Sequence, residues 1–298
     1  MPLLQEFKMH ITLSPTDKVG SHQLGFQMVR SSAPHQKKIP YKRKQNKSKM
    51  QQERIDSITK ILLAFPQELQ DYPKLVTKMA EICLSFRREN ADLAIISLRS
   101  YLEWRLKLFG DLEEQCITKD PKLRSQLESG FMHLSPMRLS NGEALLYLSN
   151  KNHDTSHFST TDTIKCLHYF IISAMVLNPS LAESGFVIVN NMVDVEMKNV
   201  DMNFPAVIAG TVGKSMPIRL VALAIITPPM LIRCVIPMFK AVLPPKLVKR
   251  MHVVTDLNTL PDLISATAQV CLPVELGGAV EFSTKEDLAR LVSMEMSI

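Results

Sequence analysis

Apolar residues at Ile55, Ile58, Ile61, Leu62 and Phe65 follow three- and four-residue spacing, which predicts the buried face of a helix that Pro66 brings to a stop. Further helices are predicted over 73–86 and 91–108, and Tyr101 and Trp104 fall on the regular apolar face of the last, as packing residues. Beyond the turn pair Asn141-Gly142 the pattern changes to short continuous apolar runs at 144–148, 185–191, 220–226 and 251–254. Runs of this length and kind suit strands buried on both faces. Between them lie a helical pattern at 161–177, a crossover through 204–212 and an apolar helix at 230–242. Strand, helix and strand in alternation predict an α/β fold with a mostly parallel sheet and right-handed crossovers. His168, on the apolar side of 161–177, is expected to be a hydrogen-bonded core residue.

The helix at 230–242 is more apolar than a water-facing helix should be. Arg233 and Lys240, seven residues apart, share one face, while Leu231, Cys234, Val235, Met238 and Phe239 spread over the other side. Such a helix suits either a plain core position or a gate over an apolar cavity, with Met230 and Met238 as adaptable fillers.

Charge is unevenly distributed. The net +6 resides in the N-terminal stretch, because 18–52 holds nine lysines and arginines and no acidic residue. That stretch has no hydrophobic periodicity and is expected to be disordered. It suits attraction to anionic membranes, at about 1 kcal/mol per basic residue near the surface. A nucleic-acid-binding or import tail, or a plain solvated extension, has the same composition. With 46% hydrophobic residues, 298 residues suffice for one large domain or two small ones. Five cysteines without a C-x-x-C pair suggest neither a disulfide framework nor a zinc site, so a reducing, cytoplasmic setting is expected. Pro228, Arg233, Pro237 and Lys240 interrupt the longest apolar region, which is poor material for a spanning helix.

Other apparent motifs carry little. The run from Gly210 to Ser215 lacks the first glycine of a phosphate loop, Ile208 standing in its place. His153 and His157 are read as loop histidines, and no G-x-S-x-G elbow occurs.

Several stretches together resemble one known family. These are Pro217-Ile218-Arg219 leading into an apolar strand, the run from Leu243 through Lys246 and Arg250 to His252, and Leu272-Pro273-Val274-Glu275-Leu276-Gly277-Gly278. In the N-terminal half, Leu84-Ser85-Phe86-Arg87 stands where an F-L-R-A-R motif is usual, and Trp104-Arg105 closes the helix that follows. The chain is thereby identified as a divergent member of the CRAL-TRIO lipid-binding domain family. Where that family has I-N-x-P, this chain reads Ile226-Thr227-Pro228-Pro229.

The resemblance implies a basic tail at 1–51, a helical CRAL-TRIO-N subdomain at 52–115, the CRAL-TRIO domain at 125–284 and a C-terminal tail at 285–298. It implies a carrier for a tocopherol-, retinoid- or phosphatidylinositol-like lipid, working as a monomer without cofactor or catalysis and exchanging its cargo at phosphoinositide membranes. Nucleic acid is not an expected partner. The gate and pocket would be Met230, Leu231, Cys234, Val235, Met238 and Phe239 with Phe186, Ile188, Leu223 and Ile225. Arg87, Arg219, Lys246 and Arg250 match family positions that bind a phosphoinositide headgroup, and Lys249 offsets a second basic residue replaced by Val221. A module that keeps the fold but only docks on membranes or protein partners is the alternative.

Overall fold

The computed structural model describes residues 41–204, 206–208, 215–264 and 267–296. The first eleven residues of helix α1 (Tyr41–Leu63) fall inside the 1–51 tail expected to lack structure; residues 1–40 lie outside the described ones. Pro66 does not follow α1 directly but opens the next helix, α2 (Pro66–Asp71), at the one turn where a missing N–H costs nothing. Pro73 likewise opens α3 (Pro73–Phe86). Helix α4 (Ala91–Phe109) starts where the Asn90 side chain accepts the Leu93 N–H and stops at Gly110, whose φ of 81° suits glycine. Ile58, Ile61, Leu62, Phe65, Val76, Met79, Leu98 and Tyr101 are buried among these helices. Arg105 is buried too, donating to the Tyr101 hydroxyl at 3.3 Å and to the Glu113 carbonyl. His168 is a core residue held by Tyr101 and Gln115.

After α5 (Pro121–Glu128) the chain enters a five-stranded sheet whose spatial order follows the sequence: β1 (Met132–Arg138), β2 (Ala144–Ser149), β3 (Phe186–Asn191), β4 (Leu220–Ile226) and β5 (Met251–Val254). Strand β1 pairs antiparallel with β2 and the other neighbours are parallel. The sheet therefore begins one strand earlier than the pattern predicts, and Asn141-Gly142 turns the β1–β2 hairpin. Among the described residues the crossover helices are α6 (Thr160–Leu177), between β2 and β3, and α7 (Met230–Val242), between β4 and β5; the crossover expected through 204–212 lies largely outside them. The C-terminal residues expected as a tail form α8 (Thr284–Met296). It is fastened by a 2.8 Å contact from His133 to Asp287 and by Glu295, which accepts from the Ile117 N–H at 2.6 Å and the Tyr169 hydroxyl at 2.8 Å.

The two faces of the sheet bury different partners. Leu145, Tyr147, Val187, Val189, Ala222, Ala224 and Ile226 pack against Leu260, Cys271, Leu272 and Leu276. The opposite side chains, from Leu146, Leu148, Phe186 and Ile188, join the core of α6 and the N-terminal helices. The β3–β4 register shifts between Phe186 and Val187, leaving Val221 unmatched, so Leu220 and Leu223 both point to this second face.

Candidate functional site

Over that second face, between α6 and α7, lies a cavity of about 180 Å³. Its floor includes Leu148, Ile188, Leu220, Leu223 and Ile225; Thr163 and Leu167 come from α6, and Ile232 and Ile236 from α7. The last two are one helical turn apart and only 6% and 7% exposed, so the sealing face of α7 is this pair. Among the expected pocket residues Ile188, Leu223 and Ile225 line the cavity, whereas Phe186 is buried deeper in the core. The gate differs from the expectation. Met230 and Met238 are 82% and 68% exposed and Cys234 is exposed, so they face away from the cavity. The side chains of Leu231, Val235 and Phe239 lie outside the described residues.

Helix α7 is lightly held. Pro237 removes one of its backbone hydrogen bonds. Thr227, at its approach, has φ of 43°, a left-handed conformation costly for a β-branched residue. Met192, Asp194, Thr227, Pro228, Met230 and Cys234 line an open groove beside this end of the helix.

One end of the cavity is polar, where the parallel strands finish. Asn150 donates to the Asn190 side chain and, at 2.9 Å, to the Asn191 carbonyl. Asn199 donates to the His153 carbonyl at 2.7 Å and accepts from the Glu196 N–H at 2.9 Å. His153, 3% exposed, stacks on Phe131 with ring centroids 4.6 Å apart. Its Nε2 stands 3.5 Å from Thr163 Oγ1, while His153 Nδ1 and Asp201 Oδ2 have no partner among the described residues. Burial holds the His153 pKa below the ordinary imidazole value, outweighing the upward pull of Asp201 and Asp154. His153 is a loop residue, as its sequence neighbours suggest, yet it lines the cavity together with Asp201. Sequence reading missed both, along with Ile232 and Ile236.

The basic residues lie apart from this end. Arg219 immediately precedes β4 and Arg250 immediately precedes β5, with Lys246 and Lys249 exposed in the turn leading there. The Leu223 N–H bonds the Arg250 carbonyl at 2.7 Å, so β5 starts beside the middle of β4 and Arg250 is staggered along the strands from Arg219. Arg87 caps α3, bonding Ser97 Oγ at 2.6 Å; its neighbour Arg88 lies 3.9 Å from Glu183, just ahead of β3. Arg219 and Arg250 thus stand directly before β4 and β5, and Arg87 stands apart at the end of α3. Arg219, whose carbonyl accepts from the Phe186 N–H, is separated from Asn190 and Asn191 by four to five residues of β3, about 15 Å at roughly 3.3 Å per residue, whereas Arg250, level with the middle of β4, is nearer to them.

Residues 133–278 match the CRAL/TRIO domain family. The chain is a CRAL-TRIO family member, and that family is one of lipid-binding and lipid-transfer proteins. Among solved structures it is similar to one described as "Crystal structure of Sfh5", with 14% identity, coverage of 71% of this chain and 83% of that one, and a TM-score of 0.44. No curated protein matches it. No helix among the described residues is long and apolar enough to cross a membrane.

Proposed function

We propose that this protein is a carrier that holds a small lipid, tocopherol-, retinoid- or phosphatidylinositol-like, in the cavity under α7 and exchanges it at phosphoinositide-bearing membranes. The observation that carries this reading is α7 itself, which closes an apolar cavity with two isoleucines while presenting Met230 and Met238 to solvent. Burying about 500 Å² of lipid surface gains on the order of 12 kcal/mol relative to water. A bilayer offers the same gain, so a carrier works by matching the membrane's apolarity and opening only where the membrane receives the lipid. Exposed methionines suit that contact, since they repack at little cost. The cations Arg87, Arg219, Lys246, Lys249 and Arg250 would hold a multiply charged headgroup through charge-assisted hydrogen bonds. No step of this cycle needs catalysis.

One observation favours the second reading, a module that docks without carrying. Ligand pockets commonly run from roughly 300 to 1,000 Å³, above the volume found here. Loading therefore requires α7 to move.

Purification from eukaryotic cells followed by mass spectrometry of co-purifying lipids separates the two. A single stoichiometric lipid supports the carrier. An empty protein that still binds anionic liposomes supports the docking module. An Arg219→Glu/Arg250→Glu variant that keeps full liposome binding removes the basic edge from either account.

A further inference from the structure

We infer that the cargo carries a hydrogen-bond-donating head, a hydroxyl, and that His153 and Asp201 receive it at the polar end of the cavity. The inference rests on the carrier reading above and specifies which lipid that carrier selects.

The direction of the hydrogen bonds decides the chemistry. Thr163 has one hydroxyl proton, and it is directed to the Ser159 carbonyl at 3.1 Å, one helical turn back. Its oxygen also accepts from Gln126 Nε2 at 3.2 Å. Towards His153 Nε2 the same oxygen is therefore an acceptor, and Nε2 carries the imidazole proton. Burial keeps the ring neutral. Nδ1 is then a bare acceptor, and Asp201 Oδ2 is a second. The Asn150 amide bonds Asn190 Oδ1 and the Asn191 carbonyl and the Asn199 amide bonds the Lys151 and His153 carbonyls, while the Asn190 amide on the cavity wall is a donor that the oxygen of the same hydroxyl can accept from. Two buried acceptors without donors are costly, and a hydroxyl satisfies one by donation. An ether, ester or carbonyl head can accept from Asn190 but leaves His153 Nδ1 and Asp201 Oδ2 without a donor.

Charge gives an independent argument. The described residues lining the cavity include no lysine or arginine, and they do include the Asp201 carboxylate. A phosphate or carboxylate head at this end would meet like charge without a counter-ion. The basic residues that suit phosphate are not among those lining the cavity, so cargo selection and headgroup docking at the membrane are separate functions of separate sites.

The test uses four C16 chains that differ only at the head: 1-hexadecanol, hexadecyl methyl ether, hexadecanoate and hexadecane, each displacing Nile red from the delipidated full-length protein. Hexadecanol is expected to displace the dye at about ten-fold lower concentration than the ether or the acid, the worth of one buried hydrogen bond. Asp201→Asn introduces an amide that donates, so the ether is expected to gain on the alcohol. His153→Phe is expected to lower hexadecanol binding about ten-fold and leave hexadecane unchanged. If the four bind equally, or if both variants retain the wild-type preference, the inference is wrong while the carrier reading stands. If none binds, the carrier reading fails and takes the inference with it. Should His153→Phe not fold, Asp201→Asn, nearly isosteric, decides alone.

Discussion

Gly278 lies against the Leu272 carbonyl so closely that a Cβ on it would stand 2.0 Å from that oxygen. The contact closes the L-P-V-E-L-G-G segment: the Gly278 N–H bonds the Pro273 carbonyl at 3.0 Å and Val280 bonds back to Leu272. Inside the same loop the Glu275 carboxylate accepts from the Tyr147 hydroxyl, which also takes a 2.7 Å bond from Asn191. The most specific motif in the chain is thus a strap across β2 and β3, on the sheet face away from the cavity.

Gly278→Ala is therefore expected to cost about 3 kcal/mol, since backbone and not a yielding side chain blocks the methyl. Gly277→Ala is a control for conformation alone. Gly277 has φ of 78° with open space around it, so its loss should cost about 1 kcal/mol. Urea unfolding of the two variants measures the difference, and equal costs would show that the strap is looser than its geometry.

Thr227 occupies the position where the family's I-N-x-P has asparagine, and its φ is 43°. Asparagine visits the left-handed region readily and threonine does not. Thr227→Asn is expected to stabilise the protein by about 1 kcal/mol and to slow lipid exchange, because strain at the root of α7 favours its opening. Thermal unfolding and a vesicle-to-vesicle transfer assay on the same variant check both halves.

Much of this fold was readable from local pattern, and the failures share a cause. The ends of α3, α7, β4 and β5 agree with the sequence reading because continuous apolar runs there meet proline or charged residues. Strand β1 escaped because Met132–Arg138 contains His133, Ser135 and Pro136. His133 and Ser135 are buried, and His133 is satisfied by Asp287, 154 residues away. In α7 nearly every position is apolar, so periodicity identified faces but not which one turns inward; Ile232 and Ile236 do, and Met230 and Met238 do not. His153 looked like any loop histidine. Its burial depends on stacking against Phe131, a contact that nothing in the adjoining residues announces.

The two faces of α7 should separate stability from membrane contact. Ile232→Ala and Ile236→Ala each remove a buried side chain from the cavity roof and are expected to cost about 2–3 kcal/mol while accelerating lipid exchange. Met238→Ser, on the outward face, is expected to change stability by less than about 0.5 kcal/mol and to weaken liposome association. Denaturation paired with liposome flotation reads both quantities, and an unstable Met238→Ser would place that residue in a packed contact.

Stability should also decline in mild acid through His168 and His153. His168 is held well below the ordinary imidazole pKa, first by burial and then by the Arg105 guanidinium; His153 is lowered by burial. Both pKa values are lower folded than unfolded, so the unfolded chain takes up protons first as pH falls. The stability that goes with neutral rings is fully present above about pH 6.5 and is lost below it, at about 1.4 kcal/mol per pH unit for each ring still neutral in the folded state. The lowered carboxyl pKa values of Asp162 and Glu295 act at lower pH, and Glu81, raised by burial, acts in the opposite sense, so the loss between pH 6.5 and 5 comes from the histidines. Urea midpoints measured from pH 8 to pH 5 should be level and then fall. In His168→Gln, which keeps a polar group beside Tyr101, the absolute stability drops but the slope below pH 6.5 shrinks by about half. An unchanged slope would move the acid sensitivity to other groups.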